Sequence, residues 1–194
     1  MPTQHGARGR ARREEIVRAA IEVIAERGYR GASLAAVAEK VGLTQQGLLH
    51  YFPSKEDLLI GVLRFREQTD SGGRDTVAEP MTMADTEAVV EANANRIAIV
   101  RTFSALLGES VTEDHPAAEY FRDRYRLVRE RLAATLRLEW GDRLPSGLTP
   151  EEAAPLVIAI MDGLQYQWLH EPETFDMPAA FRSFLRLLDP KAAS

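Results

Sequence analysis

The chain has 194 residues, 45% of them apolar and 27% charged, with a net charge of −5 and no cysteine. That composition excludes a disordered segment, a disulfide-stapled scaffold and any thiolate metal site. No apolar run approaches the ~20 residues of a membrane span, and the N-terminal arginines have no apolar stretch behind them, so the expected setting is a reducing cytoplasm without membrane insertion or a secretory leader.

Charge is unevenly spread. Residues 1–60 carry nine Lys and Arg against seven Asp and Glu, whereas residues 61–194 carry 15 against 22. Arg8, Arg10, Arg12 and Arg13 come before the first acidic residue, Glu14. A basic nucleic-acid module on an acidic body has this asymmetry, and so does a solvated tail ahead of an ordinary domain.

In chain order, residues 1–11 are expected to form a flexible basic arm. Arg12–Arg27 then places Ile16, Ala19, Ala20, Val23 and Ile24 at helical spacing, with Glu14 and Glu15 at the positive end of the dipole and Gly28 as the stop. Ser33 can cap a second helix to about Lys40. Thr44 can cap a third that ends near Phe52, because Pro53 disfavours a helical residue before it. Ser54-Lys55-Glu56-Asp57 reads as a capping box for a fourth, ending at Ser71-Gly72-Gly73, with a hinge over 71–84. Beyond it, one helix is expected over Thr86–Thr112 and another from Pro116 through Phe121, Tyr125, Val128, Leu132, Leu136 and Trp140. A third starts at Thr149-Pro150-Glu151-Glu152, beginning late or kinking at Pro155. The last covers Pro178–Leu188. The fold class is all-α, with a helix-turn-helix domain over 12–55 and a larger helical domain over 56–194.

Residues 33–59 carry the most specific signal. Val37 and Val41 lie one turn apart, Ala38 is small where two helices would cross, and Gly42 suits a tight turn that needs positive φ. Leu43 would plug that turn, with Leu48 and Tyr51 facing back to the core. The remaining side chains from Thr44 onward, Gln45, Gln46, Gly47 and His50, include no acid. Gln can pair bidentately with adenine, Thr can meet base edges or methyls, and Gly allows close backbone approach. Lys55, in a helix's first turn, opposes the dipole unless a phosphate lies near it; a solvated lysine is the other reading.

These residues resemble the N-terminal region of the tetracycline-repressor (TetR) family of transcriptional regulators. The likeness rests on Gly28-Tyr29, Ser33-Leu34, Val37-Ala38, Val41-Gly42-Leu43 and, above all, the run from His50-Tyr51-Phe52-Pro53 to Leu59. It implies a homodimer of two-domain subunits whose C-terminal domain binds a small molecule and releases DNA. Carried over residue by residue, it implies phosphate contact by Ser33, Tyr51 and Lys55. Thr44, Gln45, Gln46, Gly47 and His50 would enter the major groove. Leu49 departs from the family's usual aromatic, so a backbone contact is lost there or supplied elsewhere, for instance by the N-terminal arginines.

The C-terminal domain is less explicit. Leu156–Trp168 is similar to the helix that pairs across the family's dimer interface. Ala159 and Gly163 would permit close approach, and Phe181, Phe184 and Leu188 would join from the last helix; a buried helix of a monomer needs the same pattern. Phe103, Leu107, Phe121, Tyr125, Met161, Tyr166 and Trp168 are candidates for a ligand pocket, or for plain core. The arginines between Arg122 and Arg131 read as a solvated face paired with Glu119, Asp123 and Glu130. His5, His50, His115 and His170 form no metal-ligand spacing, and no phosphate loop or nucleophile elbow is present, so neither catalysis nor a metal or cofactor is expected. The expectation is a ligand-responsive repressor of a palindromic operator. The competing reading is a helical protein-interaction module, which would show no salt-dependent duplex binding.

Overall fold

A computed structural model describes residues 4–70, 81–112 and 114–189, and all regular structure among them is helical. The helices are α1 (Gln4–Gly31), α2 (Leu34–Lys40), α3 (Gln45–Leu49), α4 (Lys55–Asp70), α5 (Met83–Asn93), α6 (Ile97–Glu109), α7 (Ala118–Trp140), α8 (Pro150–His170) and α9 (Met177–Leu188). Most of the expected hinge at 71–84 lies outside the described residues.

Packing divides the chain into two compact units, Met1–Gly72 with Arg101–Ala118, and Gly73–Val100 with Glu119–Ser194. The first therefore holds all of α4 and most of α6 beside the helix-turn-helix, where the sequence places a boundary at 55/56. Its core forms because α1 packs on α2 and α4, and α2 on α3. Ile16, Ala20, Val37, Leu48, Phe52, Leu59 and Leu63 are buried there. Thr102 Oγ1 on α6 donates to the carbonyl of Ile21 on α1 at 2.8 Å, which satisfies a buried hydroxyl.

Three expectations need correcting. Residues 4–11 are not an irregular arm but the first turns of α1, which runs unbroken to a non-helical Gly28 with φ of 68°. Ala and Arg favour helix, and no Pro lies between Gln4 and Ile16 to stop the helix from propagating backward. The helix expected over Thr86–Thr112 is two, α5 and α6. Asn95 and Arg96 turn back to bond the carbonyls of Glu91 and Ala92, closing α5 where the apolar pattern continues. Pro155 does not delay α8, which already begins at Pro150; it is exposed and lies inside the helix. Only the Glu151 carbonyl loses its partner to that proline, and water can reach it.

The second unit packs α9 against α5 and α8. Val90, Val100, Leu132, Leu136, Val157, Trp168, Met177, Phe181 and Leu188 form one core. Reciprocal capping boxes begin α5 (Thr82 with Asp85) and α8 (Thr149 with Glu152).

Candidate nucleic-acid interface

The helix-turn-helix is assembled by local bonds that its sequence provides. Ser33 Oγ accepts from the Ala36 N–H at 3.1 Å and starts α2. After Val41, Gly42 adopts φ of 66°, a conformation costly to a side-chain-bearing residue, and the turn lets the Leu43 N–H reach the Ala38 carbonyl at 2.8 Å. Thr44 Oγ1 then accepts from the Gly47 N–H at 3.0 Å and starts α3. Leu48 is fully buried and fixes which way α3 faces.

That orientation leaves Thr44, Gln45, Gln46 and His50 exposed, with Gly47, Leu49 and Tyr51 half-buried beside them. No acidic residue occurs between Glu39 and Glu56. The surface is therefore a short row of amide, hydroxyl and imidazole groups without negative charge, suited to base edges beside phosphates. Ser33 is exposed as well, and its hydroxyl keeps a donor while its oxygen caps α2.

Lys55 is committed inside the subunit. Its Nζ donates to the Tyr29 carbonyl at 2.6 Å and to the Arg30 carbonyl at 3.5 Å, and lies 4.3 Å from the centroid of the Tyr29 ring. It thus caps the carbonyls beyond the Gly28 break and offsets the unfavourable place at the start of α4. Burial, with Glu56 and Glu109 nearby, pushes the Tyr29 hydroxyl up to about 12.

Two contacts were not legible in the sequence. Arg12 Nη2 donates to the Val41 carbonyl at 2.8 Å while its other nitrogen pairs with Glu15. Arg13 donates to the Tyr51 carbonyl and stacks over the Phe52 ring at 4.1 Å. Adjacent arginines on α1 therefore grip the backbone on both sides of α3. No sequence spacing signals contacts 29 and 38 residues apart.

The ligand-pocket candidates separate. Phe103, Phe121 and Trp168 are buried core side chains, and Leu107 is half-buried. Tyr125, Met161 and Tyr166 lie at the partly open edge of their unit. There Tyr125 donates to Asp162 Oδ2 at 2.5 Å, and burial with that bond raises the Tyr125 hydroxyl's pKa well above its ordinary value. The dimer candidates separate too. Phe181 and Leu188 are 1% and 4% exposed in the isolated subunit, so they belong to its core and offer no surface to a partner. Seven residues apart, they share the inward face of α9, while Leu187 takes the outward one at 71% exposure. Ala159 is exposed and Phe184 half-buried, and a Cβ at Gly163 would meet nothing within 4 Å. Leu156 and Tyr166 extend the same exposed side of α8.

Among the described residues no helix is long and apolar enough to cross a membrane, and no group of three His, Asp or Glu is placed to hold a metal ion.

Residues 16–62 match the model of bacterial regulatory proteins of the tetR family, and residues 81–189 match the C-terminal model of BetI-type transcriptional repressors. The transcriptional regulator BetI of Paraburkholderia phymatum is 28% identical over 178 residues, covering 88% of each chain. RutR of Escherichia coli is 43% identical, but over 54 residues only, 28% of this chain and 26% of RutR. Among solved structures, a putative transcriptional regulator from Saccharomonospora viridis in complex with choline superposes with a TM-score of 0.72 at 18% identity, covering 93% of this chain and 97% of that one. That last likeness is one of fold.

Proposed function

The chain belongs to the tetR family of bacterial regulatory proteins, with a C-terminal domain of the BetI repressor type, and on that premise we propose that it represses transcription as a homodimer, bound to a palindromic operator until a small molecule displaces it. Two-fold protein symmetry requires two-fold operator symmetry, with half-site spacing set by the separation of the two reading helices. The observation that carries the reading is the exposed, acid-free row Thr44, Gln45, Gln46 and His50 on a helix pinned by buried Leu48.

Within this reading Gln45 and Gln46 specify bases, while Ser33 and Tyr51 hold phosphates. Lys55 acts first as a cap on the Tyr29 carbonyl. In the second unit the Tyr125–Asp162 pair beside Tyr166 offers a carboxylate among aromatic rings, a chemistry that suits an organic cation. The choline complex of the S. viridis regulator makes choline the first compound to try.

The test is selection from a library of random duplexes, followed by affinity measurements over a salt series. The expected product is an inverted-repeat sequence bound with a steep negative salt slope. Gln45→Ala and Gln46→Ala should each cost ~1–3 kcal/mol at particular base pairs and relax preference there. Absence of duplex binding at low salt, or alanine variants with undiminished preference, would overturn the assignment.

A further inference from the structure

On the N-terminal part of α1, each of the two gripping arginines has a second arginine one turn ahead of it. Arg8 precedes Arg12 by four positions and Arg10 precedes Arg13 by three, so each pair shares a helix face. Arg12 and Arg13 spend their donors on the Val41 and Tyr51 carbonyls, the two ends of the reading segment. Arg8 and Arg10 are exposed, and the first acids after them, Glu14 and Glu15, pair with Arg18 and Arg12 instead.

From this we infer that the first three turns of α1 form a rigid phosphate clamp: Arg8 and Arg10 bind the DNA backbone beside the bases read by α3, and Arg12 and Arg13 aim them. The inference rests on the DNA-binding reading above and adds to it a site that the helix-turn-helix itself does not contain. Its ligand is the phosphodiester backbone, because guanidinium groups carried on one edge of a groove-reading module meet phosphates whatever the base sequence. Helical form matters to the energetics. A disordered arm would lose chain entropy on binding, whereas a helix latched at residues 12 and 13 has already lost it. The clamp also supplies backbone contacts for a reading helix in which Leu49 can donate none.

The experiment compares the full-length wild type with Arg8→Gln/Arg10→Gln on the duplex selected by the wild type and on a random-sequence duplex. The double variant should lose about 1.8 from the slope of log affinity against log salt, at ~0.9 per phosphate contact. The gap between the two proteins should then shrink roughly tenfold between 50 and 200 mM salt by the same relation. Base preference should be unchanged. Arg122→Gln/Arg129→Gln, an equal charge change on exposed positions of α7, should leave the slope as it was. Ala11→Pro keeps all four arginines but breaks α1 ahead of the latch, and should weaken binding severalfold. An unchanged slope in Arg8→Gln/Arg10→Gln overturns the clamp, as does an equal loss in the α7 control. Full affinity in Ala11→Pro overturns its rigidity. A wild type that binds no duplex at any salt instead removes the function on which the clamp depends.

Discussion

Phe52 is fully buried in the N-terminal unit, and the reason it fits is the residue opposite. A Cβ at Gly61 would come within 2.8 Å of Phe52 Cε1 and 3.5 Å of a Val17 methyl. Gly61 lies mid-helix in α4, where alanine would otherwise be favoured by up to ~1 kcal/mol. The clash should win, because the ring is held between α1 and α4 and by the Arg13 guanidinium above it. Gly61→Ala is therefore expected to destabilise by about 1–3 kcal/mol in urea unfolding; a gain in stability would show that the ring can move aside. Lys55 makes a second residue-scale case, since phosphate binding and carbonyl capping predict different measurements. Without DNA, Lys55→Ala should lower stability by about 1 kcal/mol, the range for a charge-assisted bond that stays partly solvated. Unchanged stability in that variant would leave phosphate as the lysine's whole role.

At the scale of elements, the segment joining α6 to α7 is organised around His115, which is buried. His115 Nδ1 accepts from the Ala117 N–H at 3.2 Å, which fixes the neutral tautomer with its proton on Nε2. Nε2 stands 3.9 Å from Glu109 Oε2, too far for a hydrogen bond, while Glu109 Oε1 accepts from the Tyr29 N–H at 3.3 Å. The Tyr29 ring meets the imidazole edge-on at 5.3 Å. Protonating His115 would put a second proton on Nδ1, where the Ala117 N–H already points. Burial lowers its pKa below the ordinary 6.5, a direction that Arg30 reinforces and Glu109 opposes. A lowered folded-state value means that the unfolded chain binds the proton more tightly. The His115 contribution is thus complete above about 6.5 and is lost as pH falls through the folded value. Unfolding free energy should decline between pH 7.5 and 5.5, and His115→Asn should flatten that decline; an unaltered decline in the variant would assign it to other groups. The sequence made part of this scale readable. Ser33, Thr44 and Thr149 are caps with local partners, and a local partner leaves a local signature. The α5–α6 break was hidden because Val89 to Leu107 keeps an apolar rhythm across it, while the side chains that end α5 are ordinary Asn and Arg. The outward, acid-free row of α3 was legible in the local pattern, because a capping Thr44 and an inward Leu48 leave Gln45, Gln46 and His50 on the surface. The Arg12, Arg13 and Lys55 contacts join residues 25 to 38 apart, and only the fold brings them together.

For the whole molecule, the proposed dimer turns on one side of α8. Leu156, Ala159, Gly163 and Tyr166 recur at steps of three and four, and Leu156 and Tyr166 are 50% and 40% exposed, a high apolar exposure for a face with no partner. Phe181 and Leu188, chosen from the sequence for this face, stand in the subunit core instead, because a stripe of large apolar residues on the last helix serves either purpose equally well. Gly163 separates the two roles. Its missing side chain leaves room within the subunit, so Gly163→Leu should be tolerated there and should gain helix propensity by up to ~1 kcal/mol. Across a close helix pair the same side chain would force the backbones apart. Gly163→Leu is therefore expected to unfold at least as cooperatively as the wild type yet to sediment as a monomer. Affinity for a full inverted repeat should fall by about 10²–10⁴, since the second half-site is no longer bound intramolecularly. Affinity for a single half-site should stay the same. A Gly163→Leu protein that remains dimeric with full operator affinity would move the interface to another surface of the C-terminal unit.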